Sequence, residues 1–358
     1  MKYGIITHYD VHNHGALLQL LGLKNVLAQL GIEASALQFD KNYDFMGREM
    51  KAKYNISLKS VGIYLGYLHE RGLACTLFNY KKKRILDTFR KEKKLIGDYY
   101  TECGDLDGVV VGSDEVFALH TGPTPAFFGH ALPSKKVFAY GGCFGPTTIE
   151  DIERWHCRAF VESGLNSMKG LGMRDQNSVD IAKELTGKEV ELVCDPVILY
   201  GFKNEMNGQS PVEGPYMVVY AYDGRFDKSA DVIKEAAHRR GLKIVSPGFF
   251  QKWADENVNV DPLELLRVFK GAEYVVTNTF HGCVMSIISG RKMAVQLRDN
   301  KNKLYNLMQE YGIENRLFDD GNSLDSILDS EINWEIVNKE IESRRSISMA
   351  YLKRMIEE

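Results

Sequence analysis

The chain has 358 residues, 44% of them hydrophobic and 26% charged, and a net charge of -3. That length suits two cores, since single domains run about 100–200 residues. The composition carries no disorder signature, and the slight acidity excludes a dedicated nucleic-acid binder, which would be clearly basic.

The start, MKYGIITHYD, reads as a first strand over Tyr3 to His8 and lacks the apolar core of a signal peptide. No apolar run approaches the roughly 18–20 residues that span a bilayer. A cytoplasmic location is therefore expected, with at most peripheral contact at the inner membrane face. A loop with Asn13 and Gly15 follows, then an amphipathic helix from about Ala16 to Leu30 that stops at Gly31, and a strand over Glu33 to Phe39. Residues 41–80, rich in Tyr and Lys, read as an irregular insertion. The basic run from Lys81 to Lys94 interleaves Ile85, Leu86 and Phe89 at helical spacing. It fits a solvated helix face, or a surface attracting an anionic glycan or lipid-linked acceptor.

Beyond it, short apolar runs alternate with helical patterns, the signature of parallel sheets covered by helices. GVVVGSD (108–114) and KVFAYGG (136–142) are strands, 148–162 is helical, and MKGLGMRD (168–175) is a strand. Asn177 to Thr186 is a helix, and VELVCDPV (190–197) is a strand ended by its proline. Residues 201–215 carry three Gly and two Pro and form the linker candidate between a domain over 1–200 and a second over 216–330. The second series runs PYMVVYAY, a helix over 228–240, LKIVSPG, a helix over 262–270, EYVVTNTF, a helix from His281 to Ser289, and KMAVQL. The tail from Trp334 to Ile356, within 331–358, reads as a helix packing back, with Ile336, Ile341, Ile347 and Leu352 on one face.

In open α/β sheets ligands bind beyond the carboxyl ends of the strands, so the residues just after each apolar run carry the information. In TNTFHGC (277–283), a strand of Tyr274, Val275 and Val276 runs into a short polar turn with Thr279 as a candidate substrate contact, His281 opens a helix and Gly282 lets a ligand approach the backbone. Free N–H groups and the helix dipole make that point an anion site, and His281 can bond a phosphate or pass a proton. The competing reading is a histidine that caps or packs. Arg174 stands just past another strand, where its fork fits a carboxylate or phosphate. Asp175 beside it orients it or caps the next helix, and the plain alternative is a surface Arg174–Asp175 pair. The loop HYDVHNHGA (8–16) offers Asn13 and Gly15 to a ligand. Its three histidines lack a carboxylate at a standard ligand offset, so no metal is expected. Ser113 and Asp114 end the GVVV strand, and Gly141 and Gly142 follow the next one, for close substrate contact or for tight packing. No GxGxxG or P-loop is present. The cysteines Cys75, Cys103, Cys143, Cys157, Cys194 and Cys283 are scattered, which fits reduced buried thiols.

Taken in order, the Asn13/Gly15 loop with LLQLLGLKNVLAQLG, VVGSDEV, FAYGGCFG, GMRDQNSVDIAKELTG, VELVCDPVIL, DPLELLRVFKGAEYVVTNTFHGCVMSIISGRKMAV and DNKNKLYNLMQEYGI resemble the polysaccharide pyruvyl transferase family over residues 3 to 313. The resemblance implies an α/β fold of two Rossmann-like domains facing across a cleft, similar to two-domain (B-type) glycosyltransferases. It implies phosphoenolpyruvate as donor substrate, no cofactor, and a carbohydrate acceptor, polymeric or lipid-linked, that receives a pyruvate ketal. Arg174 would grip the donor, His281 would hold its phosphate or act as acid, and a basic residue after the His281 helix would contribute. Lys301 and Lys303 are the nearest candidates, with Arg291, Lys292 and Arg298 as rivals. By its chemistry, a carboxylate such as Asp114 can take the hydroxyl proton. Two departures bear on the acceptor pocket: Phe117 stands where relatives have Trp, and YGGCFG replaces a Ser/Ala-rich loop. A nucleotide-sugar-dependent glycosyltransferase and a non-catalytic glycan-binding protein are the competing readings.

Overall fold

The computed structural model describes residues 1–40, 59–222, 224, 226–297, 302–318 and 323–357. Seven parallel strands form the first sheet: β1 (Lys2–Ile6), β2 (Glu33–Gln38), β3 (Ile96–Tyr99), β4 (Gly108–Val111), β5 (Val137–Gly142), β6 (Leu171–Met173) and β7 (Val190–Leu192), in spatial order β3-β2-β1-β4-β5-β6-β7. The second sheet holds β8 (Tyr216–Tyr220), β9 (Lys243–Pro247), β10 (Glu256–Val258), β11 (Tyr274–Thr277) and β12 (Lys292–Val295), in order β10-β9-β8-β11-β12 and again all parallel. Both sheets therefore begin in the middle, grow outward, and then reverse direction. The reversal lies between β1 and β4 in one and between β8 and β11 in the other, and it is where an open α/β sheet leaves a crevice.

The helices are α1 (His14–Gln29), α2 (Lys59–Glu92), α3 (Ile149–Arg154), α4 (Arg158–Ser167), α5 (Gln176–Thr186), α6 (Pro196–Tyr200), α7 (Ala230–Arg239), α8 (Pro262–Gly271), α9 (Phe280–Ser289), α10 (Asn302–Glu310), α11 (Leu324–Asp329) and α12 (Trp334–Glu357). Helix α1 is apolar nearly all round, with Leu17, Leu18, Leu20, Leu21, Leu23, Val26 and Leu27 buried. Such a helix must be covered on every side. It is packed by α6 of the first lobe and α8 of the second, and one continuous core runs from Tyr3 and Ile5 through α1 to Val218, Val275 and Met285. Separate apolar layers cover the outer faces of the first and second sheets.

Four sequence expectations need correction. The stretch 41–80 is not wholly irregular, since α2 already starts at residue 59; residues 41–58 lie outside the described residues. The helix expected over 148–162 is two helices, broken at residues 155–157, where His156 takes a positive φ of 53°. The proline of VCDPV opens α6 from its first position, with Asp195 as cap. In the tail, Ile336 and Ile347 are 57% and 43% exposed; the buried stripe is Val337, Ile341, Ser348, Leu352 and Met355, with Tyr351 beside it. Those residues step by about 3.5 and hold one face, whereas the 336, 341, 347, 352 series drifts around the helix. Through that stripe α12 returns to the first lobe. Tyr351 donates to the Ala139 carbonyl (2.7 Å), Ser348 accepts from the Cys194 N–H (2.8 Å), and Arg345 donates to the Ile198 carbonyl (2.7 Å). Among the described residues no helix is long and apolar enough to cross a membrane.

Candidate active site

The polar cluster forms where the strand-end loops of the first sheet meet the N-terminal turn of α9. Arg174 follows β6 directly and is 4% exposed. Its Nη1 donates to Asp195 Oδ2 (3.1 Å), and Nη2 faces Asp114 Oδ1 (3.4 Å) and Cys143 Sγ (3.1 Å). The guanidinium lies 4.4 Å above the ring of Phe280, which comes from the second lobe. Burial opposes the charge on Arg174, but Cys143, Asp114 and Asp195 outweigh it and hold the group well above its ordinary range. The surface Arg174–Asp175 pair is thus not what forms. Asp175 caps α5 instead, accepting from the Ser178 N–H (2.9 Å).

Asp195 links the two lobes. Its Oδ1 caps α6 through the Val197 N–H (2.9 Å), and its Oδ2 accepts from Gln19 Nε2 (2.6 Å) and Arg174. The same oxygen lies 3.9 Å from His281 Nε2. His281 is the second residue of α9, behind the cap Thr279, whose hydroxyl accepts from the Gly282 N–H (2.9 Å). Burial pushes the His281 pKa down, Arg174 and Lys303 push the same way, and Asp195 and Asp114 oppose them, with a net lowering. The imidazole is therefore neutral near pH 7. The resting cluster has Arg174 and Lys303 as its cations.

Lys303, in the first turn of α10, donates to Glu115 Oε1 (2.6 Å) and lies 5.6 Å from the Phe280 ring centre. Burial would lower its pKa, but Glu115 and Asp114 raise it on balance. Asp114 itself is desolvated, which pushes its carboxyl up, yet Arg174, Lys303, His8 and His281 hold it well below the carboxylate range. It also takes a φ of 76°, a left-handed backbone costly for a non-glycine residue and common at functional sites. Lys301 and Arg298 lie outside the described residues. Arg291 and Lys292 follow the far end of α9, about 15 Å from its N-terminal turn.

The remaining candidates mainly hold the frame. Asn13 caps α1, accepting from the N–H groups of Gly15 (2.8 Å) and Ala16 (3.3 Å). Gly15 packs directly beneath the His281 ring, where no side chain would fit. A Cβ on Gly282 would strike Thr277 Oγ1, one on Gly141 would meet Ser113, and one on Gly142 would meet Phe117 and Val116. Ser113 is buried, and its carbonyl accepts from Thr7 Oγ1 (3.0 Å). The three loop histidines diverge: His8 lies against the Glu115 carbonyl, His12 pairs with Asp87, and His14 bonds the Val260 carbonyl. Among the described residues no group of His, Cys, Asp and Glu could hold a metal ion. Sequence reasoning missed Asp195, Gln19, Glu115, Cys143 and Phe280. The signals were there for two of them: an Asp-Pro pair is a cap followed by a helix start, and Gln19 is a lone polar residue in LLQLLGL.

Beside Arg174 and Asp195 opens a cavity of about 380 Å³, walled by α5, α6, α9 and α10. That volume lies within the range of small-molecule sites. Of its lining residues, Arg174 Nε, Asp175 Oδ2 and Tyr311 Oη have no hydrogen-bond partner among the described residues, and neither does the nearby His281 Nε2.

The architecture is a two-lobed α/β protein whose ionised residues converge at the junction of its lobes. The chain belongs to the polysaccharide pyruvyl transferase family, whose sequence profile matches residues 13–295. No curated protein matches the chain significantly. Solved structures similar to it include a UDP-GlcNAc 2-epimerase from Neisseria meningitidis bound to UDP-GlcNAc, at 11% identity and a TM-score of 0.49 over 99% of both chains. Another is the glycosyltransferase SnogD from Streptomyces nogalater, at 13% identity and a TM-score of 0.48 over 99% of both chains.

Proposed function

We propose that the protein moves the pyruvyl group of phosphoenolpyruvate onto two hydroxyls of one sugar in a cell-surface polysaccharide or its lipid-linked precursor, leaving a pyruvate ketal and phosphate. The observation that carries this reading is the meeting of Arg174 and His281, from different lobes, on one carboxylate oxygen, at 3.1 and 3.9 Å. Arg174 keeps Nε without a partner among the described residues, and His281 Nε2, 3.9 Å from that oxygen, lies beyond hydrogen-bond reach of it. A donor bearing a carboxylate and a phosphate needs several N–H groups at once, since an unpaired buried charge is expensive.

In this reading Arg174 and Lys303 neutralise the donor, and His281 takes up a proton as the dianionic phosphate arrives. His281 then protonates the methylene carbon, which becomes the methyl group, and an oxocarbenium-like centre forms at carbon 2. One sugar hydroxyl attacks that centre while Asp114, held ionised, takes its proton. The bond from carbon 2 to the phosphate oxygen breaks, and phosphate leaves with the proton from Asp114. The second hydroxyl closes the ketal and returns its proton to His281. Positioning by the two cations, together with charge stabilisation, supplies several kcal/mol of the barrier reduction.

Phosphate release from phosphoenolpyruvate, measured across a panel of sugars, tests the proposal. Release should depend on the acceptor and vanish in His281→Asn and in Arg174→Lys, which keeps the charge but loses the fork. Full activity in either folded variant defeats the assigned roles. Stabilisation by a nucleoside diphosphate and not by phosphoenolpyruvate favours a nucleotide-sugar glycosyltransferase.

A further inference from the structure

We infer that the cavity beside Arg174 is the seat of the acceptor, and that it takes a neutral pyranose ring. The inference rests on the transfer reading above and assigns residues that reading leaves unused. Tyr311, the residue after α10, is 1% exposed, and its Oη has no hydrogen-bond partner among the described residues. Asp175, which also lines the cavity, spends Oδ1 on the α5 cap and leaves Oδ2 buried and without a partner among the described residues. Buried polar groups are nearly always satisfied, so two such atoms around one cavity, neither of them used by the donor, mark hydrogen bonds made by something that enters it.

The pattern of unmet groups selects the ligand. An anion would call for donors alone, whereas here a phenol that can both donate and accept and a carboxylate oxygen that only accepts stand together. Gln176 from α5 and Asn306 and Gln309 from α10 add amides to the lining, and Glu310 adds a carboxyl. Burial pushes the Glu310 carboxyl up to about 7 against the pull of Arg344, so near neutrality it is partly protonated and can donate as well as accept. Sugar hydroxyls donate and accept at once and match this mixture, and Leu192, Ile198 and Leu307 supply apolar wall for a ring face. A sugar held here lies against Arg174, where hydroxyls can reach the donor carbon.

Direct binding to the full-length protein tests the inference apart from turnover. The probes are methyl glycosides of glucose, galactose, mannose and their 2-acetamido counterparts, followed by saturation-transfer NMR and titration. At least one should bind, and Tyr311→Phe should weaken it about three- to tenfold while phosphoenolpyruvate affinity stays within about twofold. Because Oη has no hydrogen-bond partner among the described residues, Tyr311→Phe should unfold no earlier than the wild type. Asp175→Asn keeps the capping oxygen and should weaken the sugar likewise, which preserves the test should the first variant fail to fold. Absence of binding by every glycoside, unchanged sugar affinity in Tyr311→Phe, or a fall in its melting temperature overturns the inference. Failure of phosphoenolpyruvate to bind the wild type removes the transfer reading instead, while the sugar arm still decides this one.

Discussion

Gly15→Ala is the most informative single perturbation, because it moves His281 from the opposite lobe without touching it chemically. A methyl group at position 15 would sit 2.8 Å from the His281 Cβ and closer still to Cγ and Nδ1. Ordinary contact requires the imidazole to retreat by about 1 Å, and His281 is anchored by a capped helix whose next turn is buried. Gly15 lies in the first turn of α1, so alanine there gains up to about 1 kcal/mol of helix propensity. Against that stands an overpacking cost of about 1–3 kcal/mol, because the Cβ and Cγ of His281 sit at the root of its side chain and no rotamer change moves the Cβ. Stability should therefore fall by no more than about 3 kcal/mol, while a 1 Å misplacement of a reacting group can cost about 100-fold in rate. The assay is acceptor-dependent phosphate release alongside urea unfolding, and the expected result is kcat/KM down about 100-fold in a protein that still folds cooperatively at a lowered midpoint. Wild-type kcat/KM in a folded Gly15→Ala protein would refute the reasoning, because it would mean that the position of His281 is immaterial.

Two further predictions concern buried charge. Asp195→Asn keeps the cap on α6 but takes a negative charge from Arg174 and sets an amide against Gln19 Nε2, so it should destabilise by about 3 kcal/mol in urea unfolding; wild-type stability would show that Asp114 alone suffices for Arg174. His14 is buried with its Nε2 on the Val260 carbonyl, and burial, with a smaller push from Lys82, takes its pKa down to about 4. Its unfolded form gains a proton near pH 6.5 and its folded form only near 4, so His14 costs no stability above pH 6.5 and a penalty approaching about 3 kcal/mol accumulates as pH falls through that window. Glu310 acts in the opposite sense, since its carboxyl, raised to about 7 by burial, loses stability as pH rises from about 4.5. The two offset each other in the wild type. The stability difference between wild type and His14→Gln isolates the histidine and should shift by more than about 2 kcal/mol between pH 7 and 4.5. A pH-independent difference would contradict this account of His14.

The inner strands were legible because a strand buried on both faces is a continuous apolar run, as in GVVV, YMVVY and YVVT. Edge strands β3 (IGDY) and β10 (ENV) are short, polar and half-buried, and nothing in their composition separates them from loop. The tail helix was legible as a helix, but its buried face was misread because Tyr351 and Ser348 face the first lobe in place of Ile347. Arg174 and His281 could be singled out from the strand-end rule alone. Their relation to each other could not, since it passes through Asp195, which pairs with Gln19 across 176 positions and with Arg174 across 21. Local sequence offered Asp175 as the partner of Arg174; the fold supplied Asp195 and Asp114 from neighbouring strand ends. Gly15 suited a ligand loop, and only the packing of the second lobe shows what fills the space above it.

The fate of the donor's second carbon tests the central claim most directly. With phosphoenolpyruvate labelled with carbon-13 at that position and an accepted sugar, the account predicts a carbon-13 spectrum in which the label becomes a quaternary ketal carbon joined to two sugar oxygens. A label that ends in free pyruvate, or remains in a phosphate-bearing enol while the sugar is otherwise modified, would contradict it.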